Sequence, residues 1–96
     1  MAEAHFTRAA SLDLEEIIQY IGEDSLATAE RLADQIRSRC QLLADNPRMG
    51  QRRDEFGING LKSFHVGNYV IYLQPSGDGV NVIRVLHGAR DHGRLL

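Results

Sequence analysis

The chain is poor in cysteine: Cys40 is the only one in 96 residues. No internal disulfide can form, which excludes a disulfide-stapled secreted scaffold and fits a reducing cytoplasm. Only two prolines are present, and 43% of the residues are hydrophobic against 25% charged; wholesale disorder is excluded. No apolar run approaches the length that crosses a membrane. The stretch Met1-Ala2-Glu3-Ala4-His5 lacks the basic and apolar blocks of a signal peptide. These absences lead to an expectation of a soluble cytoplasmic protein without direct membrane binding.

Ninety-six residues suffice for one core, so a single domain is expected over 1–96. The net charge of −2 conceals a split. Residues 1–47 carry four arginines against nine acids, and residues 48–96 carry seven basic residues against four acids. A basic C-terminal half suits an acidic partner, protein or nucleic acid, and equally suits a solvated sheet face.

The first elements are read from periodicity. Residues 3–7 can form a short strand, after which Thr7 stands where a helix N-cap would. Ala10, Leu14, Ile17, Ile18 and Ile21 mark one helical face, with Asp13, Glu15 and Glu16 on the side the helix dipole favours for anions. Gly22 is expected to end this helix in a left-handed conformation. Asp24 or Ser25 caps a second helix with the stripe Ala29, Leu32, Ala33, Ile36, Cys40 and Leu43, stopped by Asn46-Pro47. Such short connections make an antiparallel helical hairpin.

After a polar, glycine-punctuated loop the pattern alternates. Strands are predicted at 61–66, 69–74 and 80–87, with turns at Gly67-Asn68 and over 75–79. In the last strand Val82 and Leu86 face one way, and Ile83 and Val85 the other. The fold class is therefore α+β, with order β-α-α-β-β-β: a helical hairpin on one face of a small antiparallel sheet of three to four strands. The opposite sheet face is expected to carry Arg84 and neighbouring basic groups.

Candidate chemistry gathers at the exit of the last strand, in His87, Arg90, Asp91, His92 and Arg94. Histidine with arginine could move protons and hold phosphorane charge in RNA cleavage. No spacing singles out an acid and a base, however, so binding is preferred to catalysis. The four histidines lack ligand spacing, and no metal or cofactor is expected. His65 reads as a half-buried strand residue, and Cys40 as a buried structural thiol. Tyr69 and Tyr72 read as packing residues. Gly77-Asp78-Gly79 lies between strands and not before a helix, so it is not a phosphate loop.

Taken in order, several segments resemble one family. They are Asp13-Leu14-Glu15-Glu16-Ile17 with Tyr20-Ile21, Asn46-Pro47-Arg48-Met49-Gly50-Gln51-Arg52, Val66 to Tyr72, and Arg84-Val85-Leu86-His87-Gly88-Ala89-Arg90-Asp91. The chain resembles ParE-type toxins of type II toxin–antitoxin modules, within the RelE/ParE superfamily. The resemblance implies a β-α-α-β-β-β fold, a ParD-like antitoxin that wraps the toxin, and DNA gyrase as target. RelE-type relatives instead cut messenger RNA on the ribosome, with basic residues and often a C-terminal tyrosine. In that alternative His87 and Arg90 would be the catalytic candidates. Arg90 roughly matches a basic position of those nucleases, but Arg94-Leu95-Leu96 contains no tyrosine, which favours the gyrase-type inhibitor. Target or antitoxin contacts are then expected among Arg52, Arg53, Arg84, His87, Arg90 and Arg94. Removal of residues 93–96 should relieve toxicity if the tail reaches the target.

Overall fold

The two long helices precede residue 60 and the three long strands follow it, where the periodicity changes. β1 (Ala4–Phe6) is followed by α1 (Arg8–Gly22) and α2 (Leu26–Asp45). Then come β2 (Gln51–Arg52), a 3₁₀ turn at Asp54–Phe56, β3 (Lys62–Val66), β4 (Tyr69–Ser76), β5 (Gly79–His87) and α3 (His92–Leu95). The computed structural model describes residues 2–96, so Met1 of the N-terminal stretch lies outside the described residues.

Thr7 makes the corner between β1 and α1. Its Oγ1 accepts from the Ala10 N–H at 3.1 Å, capping the helix, and donates to the Ile83 carbonyl at 3.0 Å. Ser25 caps α2 in the same way, through Thr28 N at 3.2 Å. The left-handed exit expected at Gly22 does not occur. Gly22 is the last helical residue, and Glu23 follows at φ −60° and ψ −36°. The Asp24 and Ser25 N–H groups both return to the Ile21 carbonyl, so backbone donors close the helix without a glycine cap.

The sheet has five strands in the order β1-β5-β4-β3-β2, where three or four antiparallel strands were expected. β1 pairs with β5 in parallel, Ala4 opposite Val80 and Phe6 opposite Val82, which makes the sheet mixed. This pairing requires glycine at 79: a Cβ there would lie 2.0 Å from the Glu3 carbonyl oxygen. Gly67, at φ +57°, supplies the first central residue of the two-residue β3–β4 turn. The next turn is equally short. β4 runs through Pro75 to Ser76, and only Gly77 and Asp78 lie outside the strands, a tighter hairpin than the predicted 75–79 turn. Pro75 is tolerated because its partner Val80 directs its own N–H to Glu3, at 3.0 Å. A proline nitrogen opposite it turns away from β5 and removes no bond from that ladder.

A β-bulge corrects the expected facing of β5. Leu73 pairs with Val82 and Tyr72 with Arg84, leaving Ile83 without an opposite residue. The alternation shifts by one at that point. Val82 and Val85 therefore join the main core with Ala10, Leu14, Ile36, Cys40, Leu43 and Ile71, while Ile83 and Leu86 face the other side. That other side carries Arg84, opposite Tyr72, as expected from the sequence, but it is not a solvated basic face. Leu61, Val70, Tyr72 and Leu86 form a second small core there, covered by Phe56 and Ile58 of the loop and by Leu95 and Leu96. Each fully buried aliphatic side chain stabilises the fold by roughly 1.5–3 kcal/mol.

Candidate functional site

Asp13 is an acidic residue inside the apolar stripe of α1, three residues after Ala10 and four before Ile17. It is only 7% exposed. A carboxylate so placed must find partners, and the Arg84 guanidinium supplies two in a bidentate pair: Nε to Oδ2 at 2.7 Å and Nη2 to Oδ1 at 2.8 Å. Oδ2 also accepts the Val85 N–H at 3.0 Å. β1 has ended before this point, so the Asp13 carboxylate takes the place of a strand neighbour for β5. The remaining Arg84 arm, Nη1, donates to the Leu95 carbonyl at 2.7 Å. One side-chain pair thus joins α1, β5 and the end of α3. The hydrogen bonds that Arg84 donates to Asp13 raise the Arg84 pKa above its ordinary value, against the opposing effect of burial. The dipole role expected for Asp13 is replaced by this one, and a charge on an apolar helical stripe is the signal that could have shown it.

Where β5 leaves the sheet, His87 stacks edge-on against Tyr69, with ring centres 5.3 Å apart. Its Nδ1 accepts from the Ala89 N–H at 3.1 Å, and its carbonyl receives the Arg90 N–H at 3.1 Å. His92 is more constrained. Its Nε2 lies 2.9 Å from the His87 carbonyl and can only donate there. In the neutral ring Nδ1 is then the acceptor, and the Tyr72 hydroxyl, 2.5 Å away, donates to it. Burial raises the Tyr72 phenol pKa, which keeps that donor protonated. Phe56, Tyr72 and His92 form a row of edge-to-face contacts. This row pins α3 onto the second core.

The six expected contact residues do not form one patch. Arg84 is 19% exposed at its side chain and committed to Asp13 and Leu95. Arg53 is nearly as confined: its Nε donates to Ser63 at 2.8 Å, and it pairs with Glu55 at 3.2 Å. Arg52 is exposed beside Asp54, at 3.2 Å, on the far strand of the sheet. His87, Arg90 and Arg94 are exposed at the β5 exit. Arg90 and Arg94 have no ion-pair partner among the described residues.

His87 and Arg90 line an open cleft of about 390 Å³ between α1 and the end of β5, with Asp13, Glu16, Ile17, Tyr20, Tyr69 and Val85. Tyr20, which residue chemistry did not single out, is 73% exposed there. His65 is exposed on β3 and not half-buried. Burial pushes the Cys40 thiol up to about 12, which leaves no thiolate for nucleophilic chemistry near neutral pH. Leu95 and Leu96 pack on the second core, and Leu95 receives the Arg84 hydrogen bond. Removing residues 93–96 would therefore disturb the fold as well as any target contact, and toxicity lost on truncation does not by itself assign the tail to the target.

A family profile described as "ParE toxin of type II toxin-antitoxin system, parDE" matches residues 4–92. No curated protein sequence matches the chain. Among solved structures, a chain of the chromosomal ParDE toxin–antitoxin system from P. aeruginosa superposes with a TM-score of 0.71. Its identity is 18%, over 91% of this chain and 96% of that one, a likeness of fold. With the profile spanning nearly every element from β1 to the start of α3, the chain belongs to the ParE toxin family of type II toxin–antitoxin systems.

Proposed function

We propose that this protein is a single-domain cytoplasmic toxin that inhibits DNA gyrase by protein–protein contact and is neutralised by a cognate ParD-like antitoxin. The observation that carries the reading is the composition of the cleft beside β5. Tyr20, Tyr69, His87 and the unpaired Arg90 offer aromatic faces and a free cation, the residue types that anchor protein interfaces. An acid–base pair is a poor fit to the same site. His92, the nearest second imidazole, has one ring nitrogen on the His87 carbonyl and the other on Tyr72. Either proton transfer or phosphate binding by His92 would first have to break the attachment of α3.

Within this reading His87, Arg90 and Arg94 meet the partner directly, and Arg52 adds a peripheral contact. Arg53 and Arg84 act by holding the loop and the β5 exit in place. Kinship with the P. aeruginosa ParDE system supports the existence of an antitoxin partner. The test is supercoiling by purified gyrase in the presence of folded toxin. Inhibition relieved by Arg90→Ala is expected. No inhibition, together with cleavage of messenger RNA in a translating extract that His87→Ala abolishes, would replace this reading with the endoribonuclease one.

A further inference from the structure

The chain contains four asparagines, and the residue after each decides what its side chain can do. Asn46 precedes Pro47, whose ring nitrogen bears no N–H. Asn68 precedes Tyr69, which pairs with Val66 at the close of the β3–β4 hairpin. Asn81 precedes Val82, a β-branched strand residue with no exposed surface. Asn59 differs. It is exposed in the loop before β3, and the next residue is Gly60, which has no side chain to shield its nitrogen. Among the described residues neither the Gly60 N–H nor the Asn59 side-chain amide has a hydrogen-bond partner.

The Leu61 N–H returns to the Ile58 carbonyl at 3.2 Å and closes a turn with Asn59 and Gly60 at its centre. Gly60 has φ +72°, and no described residue other than glycine has a positive φ, the combination of a type II turn. Such a turn leaves Asn59 extended, with its Cβ turned away from the Gly60 nitrogen. Bringing the two together needs rotation of the Asn59–Gly60 peptide plane. One side chain restrains that rotation: Gln74 Nε2 donates to the Asn59 carbonyl at 2.6 Å.

We propose that Asn59-Gly60 is a site of spontaneous deamidation and that Gln74 sets its rate. The Gly60 nitrogen attacks Asn59 Cγ and forms the N–C bond of a five-membered imide. Its proton goes to the side-chain nitrogen, which leaves as ammonia. One water then opens the imide: its hydroxyl adds to either carbonyl and its proton returns to the nitrogen, giving isoaspartate or aspartate at 59. Asparagine is among the residues that heat degrades most readily, and in this fold that lability is concentrated at one position. The new carboxylate stands in the open cleft of about 470 Å³ that Arg52, Asp54 and Lys62 also line. An aged chain therefore carries one more negative charge on the β2–β3 side of the sheet than a newly made one.

Full-length folded protein is kept in warm, mildly alkaline heavy-oxygen water, beside a sample unfolded in urea, and both are followed by peptide mass spectrometry. Conversion at Asn59 alone is expected in the folded sample, with one oxygen taken from water and both acid isomers present. Asn59→Gln, whose ring would need six members, should stay unchanged. Gln74→Met keeps the length of the side chain and loses the donor, so conversion should quicken about two- to tenfold, the worth of one hydrogen bond. A folded sample still intact at Asn59 when the unfolded one has converted overturns the site. So does conversion of Asn46, Asn68 or Asn81 at the same pace. An unchanged rate in Gln74→Met overturns the role given to Gln74.

Discussion

Asp13→Asn is the substitution that most directly probes how the β5 exit is held. The amide keeps the size of the carboxylate and one oxygen for the Val85 N–H, but it removes the charge that faces Arg84 at 2.7 and 2.8 Å. Removing one partner of a buried ion pair typically costs about 3–5 kcal/mol, because the other charge stays buried and uncompensated. Arg84 retains 19% side-chain exposure and its bond to Leu95, so water softens the loss and the lower end, about 3 kcal/mol, is expected. A chain of this length unfolds with an entropy near 0.2 kcal/mol/K, by the usual ~2 cal/mol/K per residue, which converts the loss to a fall in Tm of about 15 °C.

The assay is urea unfolding of Asp13→Asn, Arg84→Met and the double variant. If the two side chains stabilise each other, the double variant will be less destabilised than the sum of the singles, by about 2 kcal/mol. Additive losses, or an Asp13→Asn cost below about 1 kcal/mol, would falsify the account of Asp13 as the tie between α1, β5 and α3. In the gyrase assay Asp13→Asn should behave as a loss of order at the β5 exit. If the toxin inhibits gyrase as proposed, inhibition by the variant should be weaker at 37 °C than at a lower assay temperature.

Two further substitutions test the scaffold. Gly79→Ala places a Cβ 2.0 Å from the Glu3 carbonyl oxygen and 2.7 Å from its nitrogen, both backbone atoms that cannot move aside. Separation of β1 from β5 and a stability loss of roughly 2–4 kcal/mol are expected, read as lost amide protection at His5 and Val80. Retained protection at both would show that β1 is not seated as described. Cys40 predicts an alkaline limb in the stability profile. Its thiol is raised from 9.0 to about 12 in the fold, so the unfolded chain ionises first. Stability is intact below pH 9 and falls as the pH climbs toward 12, by about 2 kcal/mol near pH 10.5. Tyr69 and Tyr72, raised in the same direction, add to the fall above the ordinary tyrosine value of 10.0. Denaturant titrations of Cys40→Ala should show a shallower fall between pH 9 and 10.5, and an unchanged slope would remove the thiol from the account.

What sequence periodicity could and could not reveal divides along physical lines. Helical stripes and strand alternation are local, so the hairpin of α1 and α2 and the β3-β4-β5 meander are legible from residues a few positions apart. The parallel pairing of β1 with β5 joins positions 76 apart, Ala4 and Val80, and three residues of β1 hold no register information. The bulge at Ile83 is invisible for a related reason: every residue of 82–86 except Arg84 is apolar, so either phase of alternation satisfies the pattern. Only packing chooses between them, and that choice decides the site. Without the extra residue, the phase that buries Val82 against the helices would bring Arg84 to the same face and send Val85 away from it. With it, Val85 enters the core in place of a charge, and Arg84 is left at the strand edge where Asp13 can reach it. The local twist of the bulge also falls where β1 ends. The same irregularity that spoils the sequence reading of β5 thus marks where its edge passes from β1 to Asp13 of α1.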